Sequence, residues 1–210
     1  MQMSDFSLYL ITDRHQTGGR ALTEVVRRSL EGGVRAVQLR EKDLSSAALY
    51  RLAMELRLLT SEFDARLIIN DRPDIAQAVG ADGVHIGVNS LSVDVVRRVL
   101  GKEAIIGYSA HAVDEALSAQ AGGADFVTFG PVYLTPSKLE YGAPCGVKIL
   151  ADAVSALDIP VIGLGGISEA RVSEVLTANV QGVAVISAIL GAVDPFAVTA
   201  SLLKKIDENV

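Results

Sequence analysis

One cysteine, Cys145, is all the chain contains, so no intramolecular disulfide framework can staple it, and the lack of cysteine pairs argues against a structural zinc site. Cys145 sits between Pro144 and Gly146 with no base nearby in sequence, which reads as a loop or buried thiol rather than a nucleophile. No apolar run approaches ~18 residues, so nothing is expected to span a membrane. The first residues, Met1 to Asp5, lack a basic region before an apolar stretch, so no signal peptide is expected and a cytoplasmic protein is the simplest reading. Positive charge is also short. The formal net charge of −6 makes nucleic acid an unfavourable partner, and an anionic substrate must be met by local cations. No Ser- or Pro-rich linker divides the 210 residues, half of which are hydrophobic, so residues 1–210 are expected to form one domain with a large core.

What is present is a regular alternation. Short apolar segments at 8–12, 36–40, 66–70, 83–86, 105–109, 126–129, 161–164 and 183–186 read as buried parallel strands. Between them lie amphipathic helical patterns such as Leu22-Val25-Val26-Ser29-Leu30 and Val93-Val96-Arg97-Leu100, with a final helix from about Pro195. Gly32-Gly33 and Gly122-Gly123 close helices before the next strand. Related phrases recur at such turns: Gly33-Val34-Arg35-Ala36, Gly80-Ala81-Asp82-Gly83 and Gly123-Ala124-Asp125-Phe126. Eight strand–helix units predict a closed (β/α)8 TIM barrel. An open doubly wound sheet is the alternative, but no Gly-x-Gly-x-x-Gly follows the first strand.

A barrel of this type carries its site at the carboxyl ends of the strands, and the polar residues gather there. In Val37-Gln38-Leu39-Arg40-Glu41-Lys42-Asp43, alternation turns Gln38, Arg40 and Lys42 one way and Val37, Leu39 and Glu41 the other. Same-face neighbours lie roughly 6 to 7 Å apart, a spacing suited to an extended anion with a polar head. The other reading of this stretch is the polar face of an edge strand. Strand three ends in Asn70-Asp71. The carboxylate of Asp71 could share a hard cation such as Mg2+ with phosphate, or could cap the following helix. Strand five ends in Tyr108-Ser109-Ala110-His111, where His111 is either a helix cap or an acid–base group. His85, between Val84 and Ile86, reads as a packed, hydrogen-bonded residue. Thr135-Pro136-Ser137-Lys138 is either a solvated connection or an anion clamp and lid. Gly165-Gly166 after strand seven, with Ile186-Ser187 after strand eight, matches the phosphate cradle of such barrels.

These residues carry a resemblance. Tyr9-Leu10-Ile11-Thr12-Asp13, Gln38-Leu39-Arg40-Glu41-Lys42, Ile69-Asn70-Asp71-Arg72, Asp82-Gly83-Val84-His85-Ile86-Gly87, Gly130-Pro131-Val132-Tyr133 and Gly165-Gly166-Ile167 resemble the thiamin-phosphate synthase family. They also resemble its relative, the TenI group of thiazole tautomerases. The resemblance spans essentially the whole chain. It implies a TIM barrel that joins hydroxymethylpyrimidine diphosphate to thiazole phosphate and releases pyrophosphate by a dissociative path, with Mg2+ as cofactor. By motif, Gln38 holds the pyrimidine, and Arg40, Lys42, Asn70 and Lys138 bind pyrophosphate. Asp71 ligates Mg2+, and Ser109 contacts the reacting centre. Thr135 and Ser137 meet the thiazole phosphate, with Gly165, Gly166, Ile186 and Ser187 at the same end. The implied catalytic set is Arg40, Lys42, Ser109, His111 and Lys138. The implied partners are small phosphorylated substrates, with neither nucleic acid nor membrane, and a homo-oligomer is open.

One departure stands out. After Asp82–Gly87 the synthases usually carry an Asp that serves as a second Mg2+ ligand, and here that position is Ser90 within Val88-Asn89-Ser90-Leu91-Ser92. The TenI branch aromatises a carboxylated thiazole phosphate without Mg2+, using a His at the position of His111, yet it tends to lose the Gln-Arg-Lys and Asn-Asp motifs that are intact here. Synthase is therefore the leading expectation. The tautomerase and a non-catalytic thiazole-phosphate-binding regulator are the alternatives.

Overall fold

A computed structural model describes residues 7–135 and 144–209. Eight parallel strands close into a barrel in chain order. They are β1 (Leu8–Ile11), β2 (Ala36–Leu39), β3 (Arg66–Asn70), β4 (Gly83–Gly87), β5 (Ile105–Ala110), β6 (Phe126–Phe129), β7 (Val161–Leu164) and β8 (Gly182–Val185). β8 pairs back to β1 through Tyr9 opposite Ala184. Around them run α1 (Leu22–Glu31), α2 (Ser46–Glu62), α3 (Pro73–Val79), α4 (Val93–Leu100), α5 (Val113–Ala121), α6 (Gly146–Ala156), α7 (Val172–Leu176), the short α8 (Ser187–Leu190) and α9 (Pro195–Asp207). This is the expected TIM barrel. No helix among the described residues is long and apolar enough to cross a membrane.

β1 and β2 each stop one residue earlier than the apolar pattern suggests. The reason is chemical: the Arg40 backbone N–H leaves the ladder and donates instead to the Thr12 hydroxyl at 2.9 Å. β4 and β5 run one residue longer, because Gly87 still pairs with Ser109 and Ala110 with Phe129.

Alternation along the strands builds two cores. The outward-facing side chains Leu10, Val37, Leu67, Ile69, Val84 and Val127 pack under the helices, with Val25, Val26, Leu30, Leu56 and Val96 turned down onto them. Burying each such side chain contributes on the order of 1.5–3 kcal/mol. The inward-facing set is smaller: Tyr9, Ile11, Ala36, Ile68, Phe126, Ile162 and Ala184 fill the barrel itself.

The recurring turns close the amino-terminal end. Asp82 takes the Leu67 N–H at 2.8 Å and the guanidinium groups of Arg57 and Arg66 at 2.6 and 2.7 Å. Asp125 does the same between the next strand pair, accepting from Ile106 N–H at 2.6 Å and Arg97 at 2.7 Å. The acidic residue after each Gly-Ala thus stitches adjacent strand starts together. In the third phrase Arg35 replaces it and instead donates to the carbonyls of Leu30 and Val34 at the end of α1.

Inside the barrel one glycine is required by space alone. A Cβ on Gly107 would meet His85 Nδ1 at 2.4 Å and the Phe126 ring at 2.4 Å. Both neighbours are fully enclosed rings, so they have nowhere to go. Gly107→Ala is expected to lower stability by about 1–3 kcal/mol, as overpacking does, read as a reduced urea midpoint at unchanged m-value.

Candidate active site

The ring cluster forms the floor of the site. Inside the barrel the Phe126 ring meets Tyr9 and His85 edge to face, and Tyr9 and His85 meet at a tilt of 42°, with centroids 5.4 to 5.9 Å apart. Polar groups begin directly above it. Gln38 is buried and donates from its amide to the Tyr9 hydroxyl at 3.0 Å. Ser109 Oγ lies 3.0 Å from His85 Nε2, with Thr128 Oγ1 at 3.3 Å from the same nitrogen and 3.4 Å from Ser109. His85 is therefore packed and hydrogen-bonded as its sequence setting indicated, and in addition it orients Ser109.

At the end of β2, Arg40 is half-buried and Lys42 exposed, while Glu41 points the opposite way and is buried. This agrees with the alternation expected for the stretch. What the sequence did not announce is the set of partners Glu41 finds. Its carboxylate receives the Thr12 hydroxyl at 2.7 Å, the Arg14 N–H at 3.1 Å and the Arg14 guanidinium at 3.1 Å. Arg14 also grips Asp43 at 2.6 and 2.5 Å, and His15 adds a contact at 3.0 Å. Arg14 first, and then His15, hold the Asp43 carboxyl well below the usual carboxylate range.

The opposite rim is built by a strap. Val132 N–H donates to Leu164 O at 2.8 Å and Tyr133 N–H to Gly165 O at 3.0 Å, laying residues 131–133 along the end of β7. Gly165 (φ +106°) and Gly166 (φ +65°) are left-handed. Side chains there would strike Pro131 at 2.6 Å and Tyr133 at 2.8 Å, so the pair serves the strap as well as any anion. The Tyr133 hydroxyl donates to Glu174 at 2.7 Å under the Arg171 guanidinium, and burial together with Glu174 pushes it up to about 12. Ile186 is the cap of α8 and Ser187, exposed, opens it. The Thr135 hydroxyl is buried with no hydrogen-bond partner among the described residues. Ser137 and Lys138 lie outside the described residues. Cys145 is half-buried, its thiol raised by burial, in keeping with an inert role.

Ser109, His111, Thr128 and Gly165 converge on one cleft of about 20 Å³, room for a single water above the floor. His111 precedes the cap of α5. Its N–H donates to Glu115 at 2.8 Å, and its Nδ1 lies 3.6 Å from that carboxylate. The capping alternative for Asp71 fails, because the cap of α3 is Arg72. Asp71 is instead an exposed left-handed residue (φ 57°) at the end of β3, beside half-buried Asn70. Ser90 turns back on its own loop, its hydroxyl accepting from Gly87 N–H at 2.9 Å. Among the described residues no three His, Cys, Asp or Glu side chains cluster to cage a metal. A lone mouth carboxylate suits a hard cation that arrives already bound to a polyphosphate, which keeps most of its shell from waters and phosphate.

Known proteins agree with this geometry. The family model described as thiamine monophosphate synthase matches residues 8–189. The chain belongs to the thiamine monophosphate synthase family. A Geobacter sulfurreducens protein, provisionally named a thiamine-phosphate synthase, is 56% identical over 195 residues, covering 93% of this chain and 92% of its own. The thiamine-phosphate synthase of Clostridium tetani is 41% identical over 190 residues, 90% of each chain. Among solved structures, the thiamine phosphate pyrophosphorylase of Pyrococcus furiosus superposes with a TM-score of 0.90 at 38% identity, covering 98% of this chain and 97% of that one.

In this member of the thiamine monophosphate synthase family, burial first and the charge of Arg40 second hold His85 down to about 3. The neutral ring is thus the folded form. Since an unfolded His titrates near 6.5, the unfolded state takes up the proton first as pH falls from about 6.5 towards 3. The contribution is complete above that window and is lost on descending through it. Between about pH 7.5 and 5 the wild type should lose on the order of 2 kcal/mol through this group. Urea unfolding at the two pH values should show that loss diminished by this amount in His85→Gln. The other titrating groups are common to the two proteins and cancel in the comparison.

Proposed function

We propose that the protein is a thiamin-phosphate synthase, acting as one barrel domain that couples hydroxymethylpyrimidine diphosphate to thiazole phosphate with release of pyrophosphate. The observation that carries this reading is a barrel mouth with Arg40 and Lys42 at the end of β2, Ser109 at the end of β5, and left-handed Gly165 and Gly166 with the start of α8 at the ends of β7 and β8. That is the layout demanded by a reaction with an anionic leaving group on one side and an anionic acceptor on the other.

The difficult step is departure of pyrophosphate from the pyrimidine methylene. Arg40 and Lys42, joined by Asn70 and Lys138, stabilise the charge that develops on its oxygens. Gln38 orients the pyrimidine against the Tyr9–His85–Phe126 floor. Ser109, oriented by neutral His85, presents its hydroxyl to the reacting centre. Thr135, Ser137, Gly165, Gly166, Ile186 and Ser187 hold the thiazole phosphate so that its ring nitrogen is aimed at the methylene, and proximity supplies much of the remaining rate. The Thr135 hydroxyl, buried and without a partner among the described residues, supports its role as a phosphate donor. Asp71 would hold a Mg2+ ion that arrives on the diphosphate, and that ion would supply further charge neutralisation.

Incubation with both substrates and Mg2+, followed by identification of thiamin phosphate and pyrophosphate, tests the assignment. Arg40→Ala is expected to lower turnover by on the order of 10²-fold with the fold retained. Wild-type kinetics in that variant would remove the charge clamp. With Ser90 committed to its own turn, the single carboxylate of Asp71 is expected to give a high Mg2+ requirement, and Ser90→Asp should lower it in a Mg2+ titration. The lost carboxylate is the one observation favouring a TenI-type tautomerase. Failure of the folded protein to form thiamin phosphate at any Mg2+ concentration would transfer the assignment there.

A further inference from the structure

Glu41 sits in the middle of the cationic stretch yet contributes nothing to the face that Arg40 and Lys42 present. Its side chain is 1% exposed, and it is held by four hydrogen bonds from Thr12 and Arg14. A buried carboxylate is costly unless fully paired, so this one needs a reason to be here. The hydrogen-bond directions supply it. A threonine hydroxyl has one proton. Thr12 spends it on Glu41 Oε1, which leaves its lone pairs for the Arg40 N–H at 2.9 Å. The Thr12 N–H meanwhile donates to Gln38 O at 2.9 Å. The backbone on both sides of Leu39 is thereby tied to β1 just where regular pairing has ended. Two residues on, Arg14 and His15 hold Asp43, so Lys42 is bracketed by two anchored carboxylates.

We propose that Thr12, Glu41 and Arg14 form a positioning unit for the diphosphate-binding cations, a role resting on the reading of Arg40 and Lys42 given above. The unit does two things. It fixes the backbone from which Arg40 and Lys42 project, so that their charges are held in place before the substrate arrives. It also turns the carboxylates of Glu41 and Asp43 away from those cations and satisfies them with Arg14. Left loose, either carboxylate could fold back and neutralise its neighbour.

Binding of inorganic pyrophosphate in the presence of Mg2+, measured by calorimetry, tests this alongside the KM for thiazole phosphate. Thr12→Val keeps the shape of the side chain but removes both hydrogen bonds of the relay. It is expected to weaken pyrophosphate binding at least about tenfold and to lower kcat, with the KM for thiazole phosphate within about twofold. Thr12→Ser should restore binding to within about threefold. Glu41→Gln, which keeps an acceptor but loses the charge, gives a second route and should fall several-fold short of wild type. Arg40→Ala serves as the reference. If it binds pyrophosphate as wild type does, the reading of Arg40 itself fails. If it loses binding while folded Thr12→Val and Glu41→Gln retain it, the positioning role alone is overturned. Equal weakening of both ligands would overturn it too, since general loosening of the fold would explain that result.

Discussion

A barrel this narrow must be filled before it can carry a site. Tyr9, His85 and Phe126 do the filling, and they fit only because Gly107 has no side chain beneath them. Close packing leaves the rings no alternative arrangement. Their height therefore decides where polarity can begin. One of them is itself a hinge between the two regimes: His85 is apolar enough to pack as a ring, yet its Nε2 meets Ser109 and Thr128 on the polar side. The same burial that packs it keeps it uncharged. A charged imidazole there would place a cation beside Arg40. Packing and proton state are thus one constraint seen twice.

Most of the architecture was legible because its signals are local. A buried parallel strand reads as a short apolar run, and β3, β6 and β7 match their runs residue for residue. The strand-end polar residues could be assigned to one mouth because parallel strands in a closed barrel all end on the same side. Alternation put Gln38 and Leu39 on opposite faces, and the structure turns Gln38 to Tyr9 inside the barrel and Leu39 to the core under the helices. The acidic turn at Asp82 and Asp125 was visible as a repeat, although its purpose needed the neighbouring strand to be seen.

What escaped the sequence depended on long-range pairing. Glu41 falls on the outward phase of β2, where a carboxylate reads as solvated, and its partners Thr12 and Arg14 lie 29 and 27 residues away. Nothing local marks those positions as its counterparts. The roles of Gly165 and Gly166 were half visible. Glycine after a strand signals close approach, but that the approaching group is the Pro131–Tyr133 strap follows only from the β6–β7 neighbourhood. The capping alternative for Asp71 was locally reasonable and failed because the chain turns left-handed at that residue, moving the cap to Arg72.

The acidic balance of the chain raises a last physical question, how a protein of net charge −6 keeps a cationic mouth. Acidic and basic groups are not segregated along the sequence: Arg40, Glu41, Lys42 and Asp43 follow one another. Segregation is achieved by the two-residue period of an extended chain, which sends alternate side chains to opposite sides. That period sorts charge only if the chain stays extended, and β2 ends at Leu39, before the sorting is complete. Something other than the sheet must therefore hold residues 40–43 in phase. The contacts available for this are those of Thr12 and Arg14 with Glu41, and of Arg14 and His15 with Asp43. The carboxylates of Glu41 and Asp43 are consumed in making them, which leaves Arg40 and Lys42 as the charges this stretch presents to the mouth. The local field opposes the net charge because the anions beside it are already bound.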